Sequence, residues 1–135
     1  MQVENMMFLK QDTFNYGEQS VVLTELSGLQ RVDWLAFVRE RTAAFDEQVV
    51  DMAEPERQIA FLGMGMDLNA WLVSRSLWNA DQSQDAGALY SAVRITWSYD
   101  ALGQAAERIL SLSGMAPAEV RDDSDTQAAL TPEKS

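Results

Sequence analysis

Between Met7 and Leu35 the chain reads MFLKQDTFNYGEQSVVLTELSGLQRVDWL, two short extended runs around a turn that feed straight into a capped helix. No other stretch narrows the fold as much. Met6 to Tyr16 alternates loosely, with Phe8, Phe14 and Tyr16 apolar among Lys10, Gln11, Asp12 and Asn15. Gly17 with Glu18 supplies a turn, because glycine takes a positive φ at no steric cost. Ser20-Val21-Val22-Leu23 is β-branched and apolar, so the pair predicts a β-hairpin over residues 6–23. A lone two-stranded hairpin is marginal in water and must pack on something. A helix over about 24–48 follows, starting at Thr24 or Ser27. Ser27-Gly28-Leu29-Gln30 fits a capping box, the serine oxygen facing a backbone N–H and Gln30 reaching back. Leu29, Val32, Leu35 with Ala36, and Val38 recur at helical spacing and predict the buried stripe, with Arg31, Asp33, Arg39 and Glu40 on the other face. Trp34 and Phe37 lie off that stripe, so the helix is expected to bury more than one side.

The remainder reads as three more helices. Asp51 to Glu56 is a polar break, and Pro55 suits the first turn of a helix over 55–78, where its missing N–H costs nothing. The middle of that helix, IAFLGMGMDLNAWLV, is apolar on nearly all sides, which is the pattern of a central helix in a bundle. Gly63 and Gly65 cost it roughly 1 kcal/mol each against alanine, implying close helix approach or a soft point. After the NADQSQ loop, Asp85 is placed to cap a helix over 85–98 carrying Leu89, Tyr90, Val93 and Trp97. Asp100 is placed to cap a last one over 100–113 carrying Leu102, Ala105, Ala106, Ile109 and Leu110. Gly114 sits where a C-terminal cap glycine belongs. The expectation is a mainly α domain over 1–114, about four helices in a small bundle with an N-terminal β-hairpin. Residues 115–135 are poor in bulky apolar side chains and rich in Asp, Ala and Pro, and are expected to form a disordered acidic tail.

The chemistry-bearing residue types narrow the function. The chain has no cysteine and no histidine. That removes disulfides, thiolates, the usual general base near neutral pH and the commonest metal ligand. Ser74, Ser76, Ser91 and Ser111 have no histidine to activate them and no G-x-S-x-G elbow. Asp46, Glu47, Asp51, Glu54 and Glu56 cluster around a loop without an EF-hand pattern, and read as a solvated acidic face. Asp122, Asp123 and Asp125 form a second acidic cluster in the tail. Gly63-Met64-Gly65 looks like a phosphate-binding turn but lacks the third glycine, the preceding strand and any P-loop lysine. No catalytic, metal-binding or cofactor-binding residue is expected, and a carboxylate-based enzyme is the weakest reading. A formal net charge of −11 disfavours nucleic acid and anionic membrane as partners. No apolar run reaches the ~20 residues of a membrane helix, and MQVENMMFLK is not a signal peptide, so the cytosol is the expected compartment. Trp34, Trp71, Trp78 and Trp97 read most simply as core. Met-rich aromatic surfaces also adapt to varied apolar partners, which makes Met64, Met66, Trp71 and Trp78 the candidate partner-binding residues.

The hairpin-helix segment resembles the lambda-type minor tail protein G family, the tail assembly chaperones of long-tailed bacteriophages. The residues that carry the resemblance are Met7-Phe8-Leu9-Lys10, Val22-Leu23, Glu25-Leu26-Ser27, Leu29-Gln30-Arg31 and Leu35-Ala36. Further on they are Ala60-Phe61-Leu62, Ser76-Leu77-Trp78-Asn79, Thr96-Trp97 and Leu112-Ser113-Gly114-Met115. Together they span Met7 to Met115, while Asp46 to Glu56 and the tail match poorly. Met1 to Asn5 precede the family's usual start, which makes Met6 or Met7 an alternative initiator. The resemblance implies a late phage protein of the host cytoplasm, absent from the virion, that binds the tape measure protein and keeps it assembly-competent. It implies a longer product of programmed frameshifting that recruits the major tail protein, and the codons of Glu133-Lys134 can supply a run of adenines for slippage. It fits a homo-oligomer stacked head to tail along the tape. The alternative reading is a small structural tail-completion or connector protein of the virion.

Overall fold

The computed structural model describes residues 8–115, so the expected tail, apart from Met115, lies outside the described residues. In chain order the elements are β1 (Gln11–Tyr16), β2 (Gln19–Thr24), α1 (Gly28–Gln48), α2 (Glu54–Ala80), α3 (Ala86–Thr96) and α4 (Tyr99–Leu112). The domain is mainly α, a four-helix bundle with an antiparallel N-terminal hairpin, as the sequence predicts.

The hairpin is shorter at its start than expected, since the first strand begins at Gln11 rather than Met6. Tyr16 pairs with Gln19 and Gln11 with Thr24, leaving Gly17 and Glu18 as a two-residue turn. Gly17 has φ +62°, the conformation that excuses glycine from the usual Cβ penalty. The pleat turns Phe14 and Leu23 into the core and Val22 outward, while Tyr16, on the Phe14 face, is exposed because it sits at the turn end. Tyr16 donates a hydrogen bond to Asp100 at 3.0 Å, and Arg108 pairs with Asp12, so α4 holds the hairpin from both ends.

Helix starts follow the side chains that can satisfy their first N–H groups. At α1 the capping box forms as read: Ser27 Oγ accepts from the Gln30 N–H at 3.2 Å, and Gln30 Oε1 accepts from the Ser27 N–H at 3.0 Å. Thr24 cannot start that helix because it closes β2. At α2 the cap is the Glu56 carboxylate, accepting from the Ala53 N–H at 3.1 Å, so the helix starts one residue before Pro55 and runs on to Ala80. Asp85 caps α3 through the Ala88 N–H, and that helix ends at Thr96, two residues early. Ser98, not Asp100, caps α4: its hydroxyl accepts from the Ala101 N–H at 3.0 Å. Asp100 lies inside the first turn, where a carboxylate favours the helix dipole. Gly114 ends α4 at φ +72°, with Met115 N–H bonding the Leu110 carbonyl at 2.8 Å, a Schellman closure.

The core lies at one end of the long helices. α2 touches α1, α3, α4 and β2, so it is central as expected. Its buried residues, however, run only from Ala70 to Asn79. Ile59, Phe61 and Leu62 of the same apolar run are 70, 57 and 51% exposed. Trp71 is the hub of the core: its ring lies 5.6 Å from Trp34 and 5.8 Å from Phe37, and Phe37 meets Tyr90 edge-on at 6.4 Å. Phe14 stacks on Trp97 at 6.3 Å beneath the hairpin.

The expected buried stripe of α1 is mostly its outer face. Leu29, Val32 and Leu35 are 71, 63 and 61% exposed. Gln30 and Trp34 face inward instead, with Phe37 and Val38 half-buried behind them. At about 100° per residue the two sets lie on opposite sides of the helix. Both are helically spaced, and Gln30 disguised the buried one. The glycines of α2 do not mark close helix packing either. A Cβ on Gly63 would meet nothing within 4 Å, and one on Gly65 would sit at ordinary contact, 3.8 Å from the Tyr99 hydroxyl.

Candidate functional site

A buried polar knot joins hairpin, α1, α2 and α4. The Ser76 hydroxyl accepts from the Thr24 N–H at 2.6 Å and donates to the Thr24 carbonyl at 3.0 Å, taking the place of a third strand at the end of β2. Asn79 and Gln30 exchange side-chain amide hydrogen bonds at 2.8 and 3.0 Å, and Asn79 also donates to Thr24 Oγ1 at 3.0 Å. Ser113 Oγ accepts from the Leu26 N–H at 3.0 Å and donates to the Ile109 carbonyl, while Arg31 donates to the Ser113 carbonyl. Buried polar groups need such partners, because an orphan costs its full desolvation. The knot is therefore structural. It gathers Leu26, Gln30, Arg31, Ser76, Asn79 and Ser113, residues scattered across the sequence.

Further along the long helices, Asp67 holds α1 and α3 together. Its Oδ2 accepts from Arg41 Nε at 3.0 Å. Its Oδ1 lies 3.1 Å from Arg94 Nε in an ion pair that lacks hydrogen-bond alignment. Arg75 lies over the Trp71 ring at 4.6 Å. Burial there pushes its guanidinium below the ordinary value, opposed by Asp33, Tyr90 and Asp85. Burial raises the Tyr90 hydroxyl, and Asp67 pushes it the same way. Asp67, Arg41, Arg94 and Tyr90 engage one another, while Arg75 lines a shallow cleft beside Trp78. Among the described residues, no group of His, Cys, Asp and Glu is placed to hold a metal ion, and no helix is long and apolar enough to cross a membrane.

The four residues singled out from the sequence do not share one exposed surface. Trp71 is 6% exposed. Met64 and Met66 are half-buried on opposite sides of α2, Met66 against the core. Trp78 is half-buried in a shallow cleft with Leu29, Asp33, Arg75 and Gln82. Among the described residues, two other groups of large apolar side chains are uncovered. One is the outer face of α1, Leu29, Val32 and Leu35 with exposed Ala36. The second is the free end of the α1–α2 pair, where Val50, Ile59, Phe61 and Leu62 are exposed and Phe45 meets Phe61 edge-on at 6.0 Å. Helix length was the signal for the second surface. α2 has 27 residues against 11 and 14 in α3 and α4. At 1.5 Å per residue it spans about 40 Å against about 16 and 21 Å, so one end must outrun its neighbours.

Fold and surface together define a class: a small acidic helical protein whose distinctive exposed groups are apolar side chains on long helices. The chain belongs to the family of the bacteriophage lambda tail assembly chaperone, TAC, protein G, whose family model matches residues 7–131. That match runs beyond Met115 into the tail, further than the motifs alone reach. Tail assembly protein G of Escherichia phage lambda is 30% identical over 118 residues, 81% of this chain and 79% of that protein. The protein G of Escherichia phage N15 is 29% identical over 118 residues, 81% and 78% of the two chains. Tail assembly protein GT of phage lambda is 30% identical over 118 residues that make up only 39% of its length, so GT is about twice as long as G. No solved structure matches the chain.

Proposed function

We propose that this protein is a non-enzymatic chaperone of phage tail assembly that binds the tape measure protein in the host cytoplasm and leaves before the virion is complete. The observation that carries the reading is the uncovered stripe Leu29, Val32 and Leu35 on α1, in a chain of this family. Large apolar side chains grouped outward on a folded domain mark a partner surface. A tape measure is a long helical chain with apolar stripes of its own, and a stripe-on-stripe contact satisfies both. Trp78, in the cleft beside Leu29, extends that surface. Met64 and Met66 add adaptable side chains on α2, and Trp71 anchors α1 from beneath. The acidic body keeps such a complex soluble. A head-to-tail contact between copies would line the tape with chaperones. Among the described residues no further strand pairs with the hairpin, so its edges are available for that contact, apart from the Thr24 position that Ser76 takes.

The relation between proteins G and GT supports a longer form of this chain as well, made by frameshifting near Glu133-Lys134 and recruiting the major tail protein. The gene tests that part: absence of a slippery heptamer there, or of an open frame beyond it, removes it. Co-expression tests the chaperone reading. Tape measure protein should be markedly more soluble with the wild-type chain than without it, and equal solubility overturns the claim. The pair Leu29→Glu with Leu35→Glu should lose most of the effect while the circular dichroism spectrum stays unchanged. Met64→Asp with Met66→Asp should weaken it if α2 contributes. Mass spectrometry of purified particles should find none of the chain; finding it there would favour a structural component instead.

A further inference from the structure

We infer that the free end of the α1–α2 pair is a docking site for a basic amphipathic segment of a partner, separate from the α1 outer face. The two helices run antiparallel, joined at the base by Gln30 with Asn79 and midway by Arg41 with Asp67. Beyond that point the bundle falls away. The buried residues of α2 all lie between Ala70 and Asn79, so among the described residues its outer part is covered chiefly by α1, where Phe45 meets Phe61. Ile59, Phe61 and Leu62 are exposed there, and a cleft of about 410 Å³ opens between Phe45, Glu54, Arg57, Gln58, Phe61 and Leu62.

Charge decides what fits it. Residues 45–62 carry Asp46, Glu47, Asp51, Glu54 and Glu56 against a single base, Arg57. That base is already committed, lying 3.6 Å from Glu54 and donating to the Met52 carbonyl at 3.1 Å. Glu54 is the one carboxylate lining the cleft itself, and the other four are exposed at the same end of the pair; an apolar floor at so acidic an end disfavours three occupants. The same end of a second copy brings the same charges. The chain's own residues 116–135 carry Glu119, Asp122, Asp123, Asp125 and Glu133 against Arg121 and Lys134. Nucleic-acid phosphate is repelled as well. A helix with an apolar stripe flanked by Lys or Arg satisfies both parts, burying the stripe on Phe61 and Leu62 and pairing its flanks with those carboxylates. The inference deepens the proposed function by naming the chemistry of the segment taken, and it rests on that reading only for the partner's identity.

The test uses the full chain and two synthetic helical peptides with one apolar stripe, flanked by Lys/Arg in one and by Asp/Glu in the other. Binding is read by fluorescence anisotropy at low and high salt. The basic peptide should bind, lose affinity as salt rises, and bind the Asp51→Lys/Glu54→Lys and Ile59→Ser/Phe61→Ser variants at least about tenfold more weakly. The acidic peptide should not bind. Equal binding of both peptides, or unchanged binding by both variants, overturns the inference. So does a self-association of the wild-type chain that the Ile59→Ser/Phe61→Ser variant abolishes, since the occupant is then a second copy. Circular dichroism confirms that each variant is folded, which is expected because these side chains are exposed. Co-expression separates the two readings. A wild-type chain that solubilises tape measure protein, with an Ile59→Ser/Phe61→Ser variant that does so equally well, removes this site and leaves the chaperone function standing. Failure of the wild-type chain in co-expression removes the function and leaves the peptide result to judge the site.

Discussion

The two ends of the α1–α2 pair are built from the same two helices and behave as opposites. At the base, Gln30, Ser76, Asn79 and Ser113 are buried and each is hydrogen-bonded across elements, beside a core of Trp34, Trp71 and Leu72. At the free end, Phe61, Ile59 and Leu62 face outward among carboxylates. The base can hold polar groups because every one has a partner. The free end has apolar groups that nothing in the bundle covers. Stability is thus concentrated at one end, which leaves the opposite end free to be chosen for surface chemistry rather than for folding.

The largest effect expected from breaking this division is at the hub. Trp71→Ala should cost about 3–5 kcal/mol, the range for truncating a buried aromatic that neighbours cannot refill. Trp34, Phe37 and the Arg75 guanidinium all rest on that ring. Urea unfolding followed by circular dichroism measures it. A loss below about 1 kcal/mol would mean the aromatic cluster is not the core, and Trp71 would return to being a surface residue.

The next effect separates hydrogen bonding from apolar burial at the same end. Asn79→Ala removes the acceptor of Gln30 Nε2, one of the two donors to Gln30 Oε1 and one partner of Thr24 Oγ1; the Ser27 N–H still reaches Gln30 Oε1, but the Gln30 side-chain N–H is left buried and unmet. The expected cost is roughly 1–3 kcal/mol. The double variant Gln30→Leu/Asn79→Leu removes donors and acceptors together and should recover part of that loss, since replacing both partners by apolar groups is much less costly than orphaning one. A double variant as unstable as the single one would show that the Asn79 bond to Thr24 and the Gln30 cap on the Ser27 N–H outweigh the amide pair.

How much of this was legible in the sequence follows the range of the interactions. The hairpin turn and the α1 capping box were readable because Gly17 and Ser27-Gln30 act on neighbours within three residues. The buried face of α1 was not, because Gln30 is inside only by virtue of Asn79, 49 residues away. Without that partner, Leu29, Val32 and Leu35 make the better apolar stripe. The same limit affected α2. Its apolar run looked uniformly central, yet α3 and α4 cover only part of its length. The residues that carried the family resemblance turn out to meet in space: Leu26, Gln30, Arg31, Ser76, Asn79 and Ser113 form one knot. The motifs mark the base, which holds the fold, and reach the free end only at Ala60-Phe61-Leu62. The rest of that end, Asp46 to Glu56, is where the motifs match least.

The smallest effect sharpens the comparison from the uncovered side. Gly63 is in the helical interior of α2, with no positive φ and no neighbouring atom within 4 Å of where an added Cβ would sit. Glycine there carries only its entropic cost, so Gly63→Ala should stabilise the protein by about 0.5–1 kcal/mol. Thermal unfolding reads this as a rise of a few degrees. At the base, where Ala70 and Ala105 are fully buried, adding even one methyl group should do the reverse, because a packed interior has no room for it. A destabilising Gly63→Ala would mean that something in the folded protein already covers that side of α2, and the free end would cease to be free. If instead the alanine variant is more stable yet binds the basic peptide less well, the glycine serves adaptability at the docking end, and its stability cost is part of how that end works.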